Sequence, residues 1–222
     1  MTYQWDFSAV FRDWDLLLIG LGNTLILSAA SILTGAVVGM LLAGARLSGR
    51  PALAWPTIGL IEFFRNTPSL VHLFWIFYAL PVLLGVALSP FVAAWIAFSI
   101  QSGAFFAEVY RGGISSIDRG QWEAGRAVGM PLATLLRRII LPQAMRRMVP
   151  PMIERSFEVV KTTALAATVA YADLLYQAIS TIAKTYRPLE LYTAVAAIYF
   201  VVLFGASLGA QSFERALRRR GG

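Results

Sequence analysis

The chain contains no cysteine, so disulfides and thiolate metal sites are both absent from it. It has a single histidine, His72, and one imidazole without thiolates makes a zinc-type site improbable chemistry. Charge is scarce as well: charged residues make up 14% of the 222, against ~25% in an ordinary soluble domain. No Gly-rich phosphate loop closing in Gly-Lys-Ser or Gly-Lys-Thr is present, which excludes P-loop nucleotide chemistry on this chain. An early apolar run of the length and flanks of a cleavable signal is also missing: Asp6, Arg12, Asp13 and Asp15 come first, and the apolar stretch after them is too long.

What the chain does have is apolar length. Hydrophobic residues make up 58%, and several runs reach the ~20 residues needed to cross a bilayer. The chain therefore reads as an all-α integral membrane protein of one domain. Residues 1–15 mix aromatics with acids (Trp5, Asp6, Phe7, Trp14) and suit a membrane interface. The first predicted span is 16–45, uncharged throughout and carrying Gly35-x-x-x-Gly39, a spacing that lets helices approach closely in lipid. The second is 58–80, ended by Pro81, and the third is 91–107, ended by Glu108 and Arg111. A long polar loop follows over 112–148. A fourth span, 149–171, holds Glu154, Arg155, Glu158 and Lys161 in its first half; residues 172–190 read as a polar return. The fifth span is 191–208, and residues 214–222 form a basic tail. The net charge of +7 superficially suggests nucleic acid, but the bases sit beside apolar spans, which is how membrane topology is encoded. With the N-terminus outside, all but Arg12, Lys184 and Arg187 of the 19 lysines and arginines fall inside. The layout is thus five spans, N-terminus outside and C-terminus inside.

The polar loop carries the most informative run: Glu123-Ala124-Gly125-Arg126, then Gly129, then Ile139-Ile140-Leu141-Pro142. Residues 121–128 fit about two turns of helix, roughly 12 Å. Gly129 is suited to end it at positive φ. Pro131 can begin a second short helix, which Pro142 then stops or kinks. Arg119, Glu123 and Arg126 lie four and three apart, placing the acid between two bases on one face. The expected product is a small, charged elbow able to dock on a partner.

The spacing of Glu-Ala-small, three residues, Gly, nine residues, then Ile-x-Leu-Pro resembles the cytoplasmic loop of permease subunits of bacterial ABC importers. Gly125 stands where alanine is more usual. Other segments resemble the polar amino-acid branch of that family: Gly22-Asn23-Thr24-Leu25-x-Leu27-Ser28, Glu62-Phe63-Phe64-Arg65-Asn66-Thr67-Pro68, residues 107–114 with Gly120-Gln121, and residues 187–193. Departures occur at Ala104-Phe105, where a Tyr usually follows a small residue, at Glu154, where Asn is common, and at Thr163-Ala164, in place of a Thr-Ser pair.

The resemblance implies a type I ABC importer permease fold over residues 16–213, located in a bacterial inner membrane. It implies a subunit without catalytic residues, a second permease subunit (identical or homologous), a separate ATP-binding subunit and an extracytoplasmic amino-acid-binding protein. ATP and Mg would be bound by the partner ATPase. Glu123, Ala124, Gly125, Arg126, Gly129, Leu141 and Pro142 would couple to that ATPase. Polar residues at membrane depth default to function; Asn66, Thr67, Gln101, Lys161, Thr162 and Thr163 are the substrate-pathway candidates, with His72 and Thr168 beside them. For Lys161 the alternative is snorkelling to the interface, and for His72 an interhelical hydrogen bond. Two other function classes remain: an ATP-independent channel, and an intramembrane serine hydrolase built on Gly205-x-Ser207-x-Gly209 with His72 as base.

Overall fold

The computed structural model describes residues 3–219, so Met1, Thr2 and the end of the basic tail from Arg220 to Gly222 lie outside the described residues. A short helix α1 (Ser8–Arg12) leads into α2 (Trp14–Leu47), then α3 (Pro51–Asn66) and α4 (Ser69–Phe74). A π turn, Trp75–Ala79, joins α4 to α5 (Leu80–Leu84), and α6 spans Pro90–Ser115. Helices α7 (Arg119–Ala127) and α8 (Leu132–Leu135) come next; a second π turn, Leu136–Ile140, joins α8 to α9 (Leu141–Thr162). A 3₁₀ stretch, Thr163–Val169, then α10 (Leu174–Thr185) and α11 (Pro188–Arg219) complete the order. Three helices, α2, α6 and α11, are each long and apolar enough to cross a membrane, and two bent pairs bring the total to five if each is one span.

The bundle is centred on α2 and α6. Gly35 and Gly39 put the α2 backbone directly against α6: a Cβ on Gly39 would lie 2.7 Å from Phe106 Cβ and 2.8 Å from the Gly103 carbonyl, and one on Gly35 2.8 Å from Ser102 Cβ. The sequence spacing therefore marks a real seam. Trp95 Nε1 donates to Thr34 Oγ1 at 3.1 Å, and Tyr110 donates to the Ala36 carbonyl at 3.3 Å, fixing the two helices along their length.

The second span differs from the expected straight helix over 58–80. α3 stops at Asn66, Thr67 is extended (φ −105°, ψ 138°), and the chain turns through 106° before Ser69–Leu84. Pro68 explains this, because its ring excludes a helical conformation for the residue before it and it has no N–H to donate. Pro81 does not end this span either. It lies inside the continuous helical run from Ser69 to Leu84, where the π turn just before it absorbs the missing donor, and Gly85 at φ +66° ends the helix.

The fourth span is also broken. The helix runs through Thr162, tightens to 3₁₀, and ends at Ala170 in the left-handed region (φ 59°). Residues 172–190 are not a polar return: Asp173 caps α10, accepting from the Tyr176 N–H at 2.8 Å, and α11 starts at Pro188. The irregular stretch is held by α2. Asn23 Nδ2 donates to the Ala172 carbonyl at 2.8 Å, Tyr171 donates to the Asn23 carbonyl at 3.0 Å, and the Leu174 N–H donates to Thr24 Oγ1 at 3.1 Å. Backbone freed from a helix in apolar surroundings has to be satisfied by protein, and the Asn-Thr pair of α2 does this.

At the same end, residues 3–6 are strapped onto α11. The fully buried Glu190 accepts from the Tyr3 hydroxyl at 2.5 Å and the Asp6 N–H at 3.0 Å, and pairs with Arg187 at 3.5 Å. At the other terminus, residues 214–219 continue α11 rather than forming a separate tail.

The seam makes a sharp prediction. Gly39→Leu drives a side chain into α6 backbone and lowers the detergent-solubilised protein's thermal midpoint, at a cost of about 1–3 kcal/mol or more. Gly44→Leu, on the same helix with nothing within 4 Å of its Cβ position, leaves the midpoint unchanged.

Candidate functional site

Two features stand out, and one core joins them. The first is the elbow at α7. Asp118 caps it, its Oδ1 accepting from the Gly120 N–H at 2.7 Å. Gly129 ends it at φ +70°, with Gly129 N–H donating to the Arg126 carbonyl at 2.9 Å and Met130 N–H to the Gly125 carbonyl at 3.0 Å, the paired bonds of a Schellman cap. The expected helix, terminator and second helix are all present. Pro142 departs from expectation: the helix continues through it, because the π turn just before it absorbs the missing donor and Pro142 takes a first-turn position in α9.

Gly125 is buried against Leu135, where a Cβ would fall 2.3 Å from Leu135 Cδ1. Leu135 is itself fully buried, in one cluster with Ile117, Ile140, Ala144, Phe106 and Tyr110. Glu123, Ala124, Arg126, Gly129, Leu141 and Pro142 are all exposed. Glu123 forms no ion pair with any described residue, so the acid between two bases does not close onto either. The elbow thus keeps its charged and small residues free and clamps its one buried glycine to the helical body.

The second feature is a charged cleft of about 610 Å³ between α3, α6 and α9. Its floor is Phe105 of α6. Arg155 of α9 stacks on that ring with Cζ 3.5 Å from the centroid, and Arg65 of α3 lies over it at 5.6 Å. Glu108 on the cleft wall pairs with Arg46 of α2 and takes Nε and NH2 of Arg111 at 3.0 and 2.9 Å. Lys161 pairs with Glu158, and Arg65 with Glu62 at 3.3 Å. Glu154 also lines the space and is exposed.

Of the pathway candidates, Lys161 lines this cleft, where its half-exposed ammonium pairs with Glu158. The others point elsewhere. Asn66 closes onto its own helix through the Glu62 carbonyl (2.8 Å) and carboxylate (3.0 Å). Thr162 donates to the Glu158 carbonyl and Thr163 to the Val160 carbonyl, with Ser28 of α2 3.4 Å from Thr163. Thr168 donates to the Leu165 carbonyl, and Gln101 is buried within α6. Thr67 and His72 line a separate apolar cavity of about 360 Å³; His72 is buried, packs on Phe64 at 4.7 Å and has no hydrogen-bond partner among the described residues. It therefore does not make the interhelical bond expected of it. Sequence reasoning passed over Arg65, Phe105 and Arg155 as a group. They come from three helices: Arg65 and Arg155 showed as charge within apolar spans and Phe105 as a departure from the family pattern, and nothing in the sequence joins the three.

The Gly205-x-Ser207-x-Gly209 segment lies inside the continuous helix α11, with Ser207 donating to the Phe204 carbonyl at 2.8 Å. The sharp strand-to-helix turn that exposes a hydrolase serine is absent there.

Residues 20–219 match the family described as binding-protein-dependent transport system inner membrane component. The chain belongs to this family. Among its relatives, the permease is 35% identical over 216 residues to the glutamine transport system permease protein GlnP of Escherichia coli (strain K12), covering 97% of this chain and 99% of that one. It is 33% identical over 205 residues to the probable amino-acid ABC transporter permease protein YckA of Bacillus subtilis (strain 168), covering 90% of each. A solved structure described as an amino acid ABC transporter with histidines superposes with a TM-score of 0.92 at 33% identity, over 96% of this chain and 100% of that one. The permease therefore stands with the amino-acid ABC permeases and has their type I fold.

The cleft wall is testable apart from transport. Glu108→Gln weakens the joint between α2 and α6 at Arg46 and the brace to Arg111 within α6; the expected cost is about 1–3 kcal/mol, read as a lower thermal midpoint in detergent. An unchanged midpoint shows that the triad does not brace the cleft.

Proposed function

We propose that this permease is the membrane-spanning subunit of an ATP-driven importer for polar amino acids in a bacterial inner membrane. The observation that carries this is the elbow: α7 offers free Glu123, Ala124 and Arg126 on its exposed surface, while Gly125 is fixed through Leu135 to the core containing α6 and α9. An exposed ion pair within the chain is worth only ~0–1 kcal/mol, so stability gives little reason for an acid at Glu123, and the unpaired acid and the small exposed Ala124 are the features available to a protein groove. The partners are a separate ATPase that binds ATP and Mg, a second permease subunit, identical or homologous, and an extracytoplasmic binding protein. The N-terminus lies outside and the C-terminus inside across five spans, which puts the elbow in the cytoplasm, in keeping with the charge bias of the sequence.

In this reading, ATP-driven closure of the ATPases displaces α7. Leu135 and Ile140 carry that displacement into α9, where Glu154, Arg155, Glu158 and Lys161 line the cleft. The cleft is then the solute pathway. Its chemistry suits a solute carrying both charges, since guanidinium and carboxylate groups line one space. Glutamine, named in the Escherichia coli relative, fits that chemistry.

Glu123→Lys tests the reading. The variant inserts normally, the ATPase no longer co-purifies in mild detergent, and ATP-driven amino-acid uptake into membrane vesicles falls at least tenfold. Uptake equal to the unaltered permease refutes the docking role of the elbow.

A further inference from the structure

Phe105 brings together two groups that repel one another. Arg155 lies on its ring at 3.5 Å and Arg65 lies over it at 5.6 Å, so two guanidinium cations from different helices share one aromatic floor in a partly buried cleft. A ring face attracts a cation but accepts nothing from the in-plane N–H groups. Both Nε–H groups are buried and without a hydrogen-bond acceptor. Arg65 has one carboxylate contact, to Glu62 on its own helix, and Arg155 forms no ion pair among the described residues. Glu158, one turn along the same helix, offsets part of the repulsion from a distance but is itself held by Lys161, and Glu108 is held by Arg46 and Arg111. Buried donors left unpaired are costly, and two forked cations side by side match a planar anion with two oxygens.

We propose that Arg65 and Arg155, seated on Phe105, form a carboxylate-binding clamp for the transported solute. The clamp rests on the reading of the cleft as the solute pathway. The unpaired Glu154, adjacent in sequence and on the same cleft, receives the solute's ammonium group. The carboxylate held is either the α-carboxylate of a zwitterion or the side-chain carboxylate of an acidic amino acid, and the two are separable by choice of probe.

The test is equilibrium binding to the permease–ATPase complex in lipid nanodiscs, using radiolabelled glutamine, glutamine methyl ester, glutamate and glutamate α-methyl ester. An α-carboxylate clamp binds glutamine roughly 10- to 100-fold more tightly than its ester. A side-chain clamp binds glutamate and its α-ester alike and both glutamine forms weakly. Either pattern supports the proposal when Arg155→Met and Arg65→Met each erase the preference, with Arg155→Lys retaining part of it because an ammonium keeps the charge and loses the fork. All four probes binding equally, or none of glutamine, glutamate and the glutamate α-ester binding, overturns the clamp, and that comparison needs no variant. Assembled Met variants that discriminate as the unaltered protein does also overturn it. ATP-driven uptake in vesicles separates the two levels: uptake without carboxylate discrimination rejects the clamp and leaves the importer reading intact. An assembled complex that takes up no amino acid when supplied with its extracytoplasmic binding protein rejects the importer reading itself.

Discussion

The close approach of α2 to α6 is the constraint on which everything else depends. In a bilayer, apolar side chains gain nothing by leaving lipid for protein, so helices associate where small residues let backbones meet and polar groups bond across. Gly35 and Gly39 provide the first, facing Ser102, Gly103 and Phe106; Thr34 with Trp95 and Ala36 with Tyr110 provide the second. With that seam fixed, α2 holds the broken stretch at 170–174 through Asn23 and Thr24, and Arg46 at its far end holds Glu108. α6 in turn presents Phe105 to the cleft and Tyr110 to the elbow's core. Loosening the seam would move both sites at once.

The elbow and the cleft are linked by packing of a specific kind. Leu135 is the buried residue that touches Gly125, and Ile140 and Ala144 follow it along the same chain of helix into α9. A π turn lies between α8 and α9. Such a turn widens the helix locally without breaking its hydrogen bonding, so Pro142 is accommodated and the segment from residue 132 onward remains one connected rod. A displacement of α7 therefore acts on a stiff element rather than on a loose loop, and that element carries four charged residues of the cleft.

Much of this was legible in the sequence. Long apolar runs set α2, α6 and α11, the Gly-x-x-x-Gly spacing marked the seam, and Gly129 marked the end of α7 because positive φ has a local cause. The two bends were not read. The bend at Pro68 has a local cause in the proline itself, whereas the 163–173 stretch reads as continuous span, and whether such a span breaks depends on whether other helices satisfy the freed backbone. Asn23 and Thr24 do so from about 150 residues away in the chain, and no local pattern encodes that pairing. The pathway candidates fared differently for a related reason. Single hydroxyls and amides at membrane depth were singled out, and Asn66, Thr162, Thr163 and Thr168 are bonded within their own helices. Short polar side chains in a helix reach the carbonyl one turn back, so their presence at depth is a weak sign of a pathway, while long charged side chains cannot be satisfied that way.

That distinction bears on how the cleft tolerates its charge. Charged groups at membrane depth are rare and pair with one another or face water, and here the pairing is nearly complete. Glu108 takes two arginines, Glu158 takes Lys161, and Glu62 takes Arg65. The two pairs cancel, the triad of Glu108 with two arginines keeps one positive charge, and Glu154 and Arg155 add one unpaired charge of each sign among the described residues. They are consecutive residues of one helix, about 100° apart around its axis, with Arg155 flattened onto Phe105 and Glu154 exposed. Glu154 and Arg155 present one charge of each sign beside a net positive triad, which suits a dipolar solute that offers a carboxylate and an ammonium together, and the hold has to stay weak if the solute is to leave the pathway.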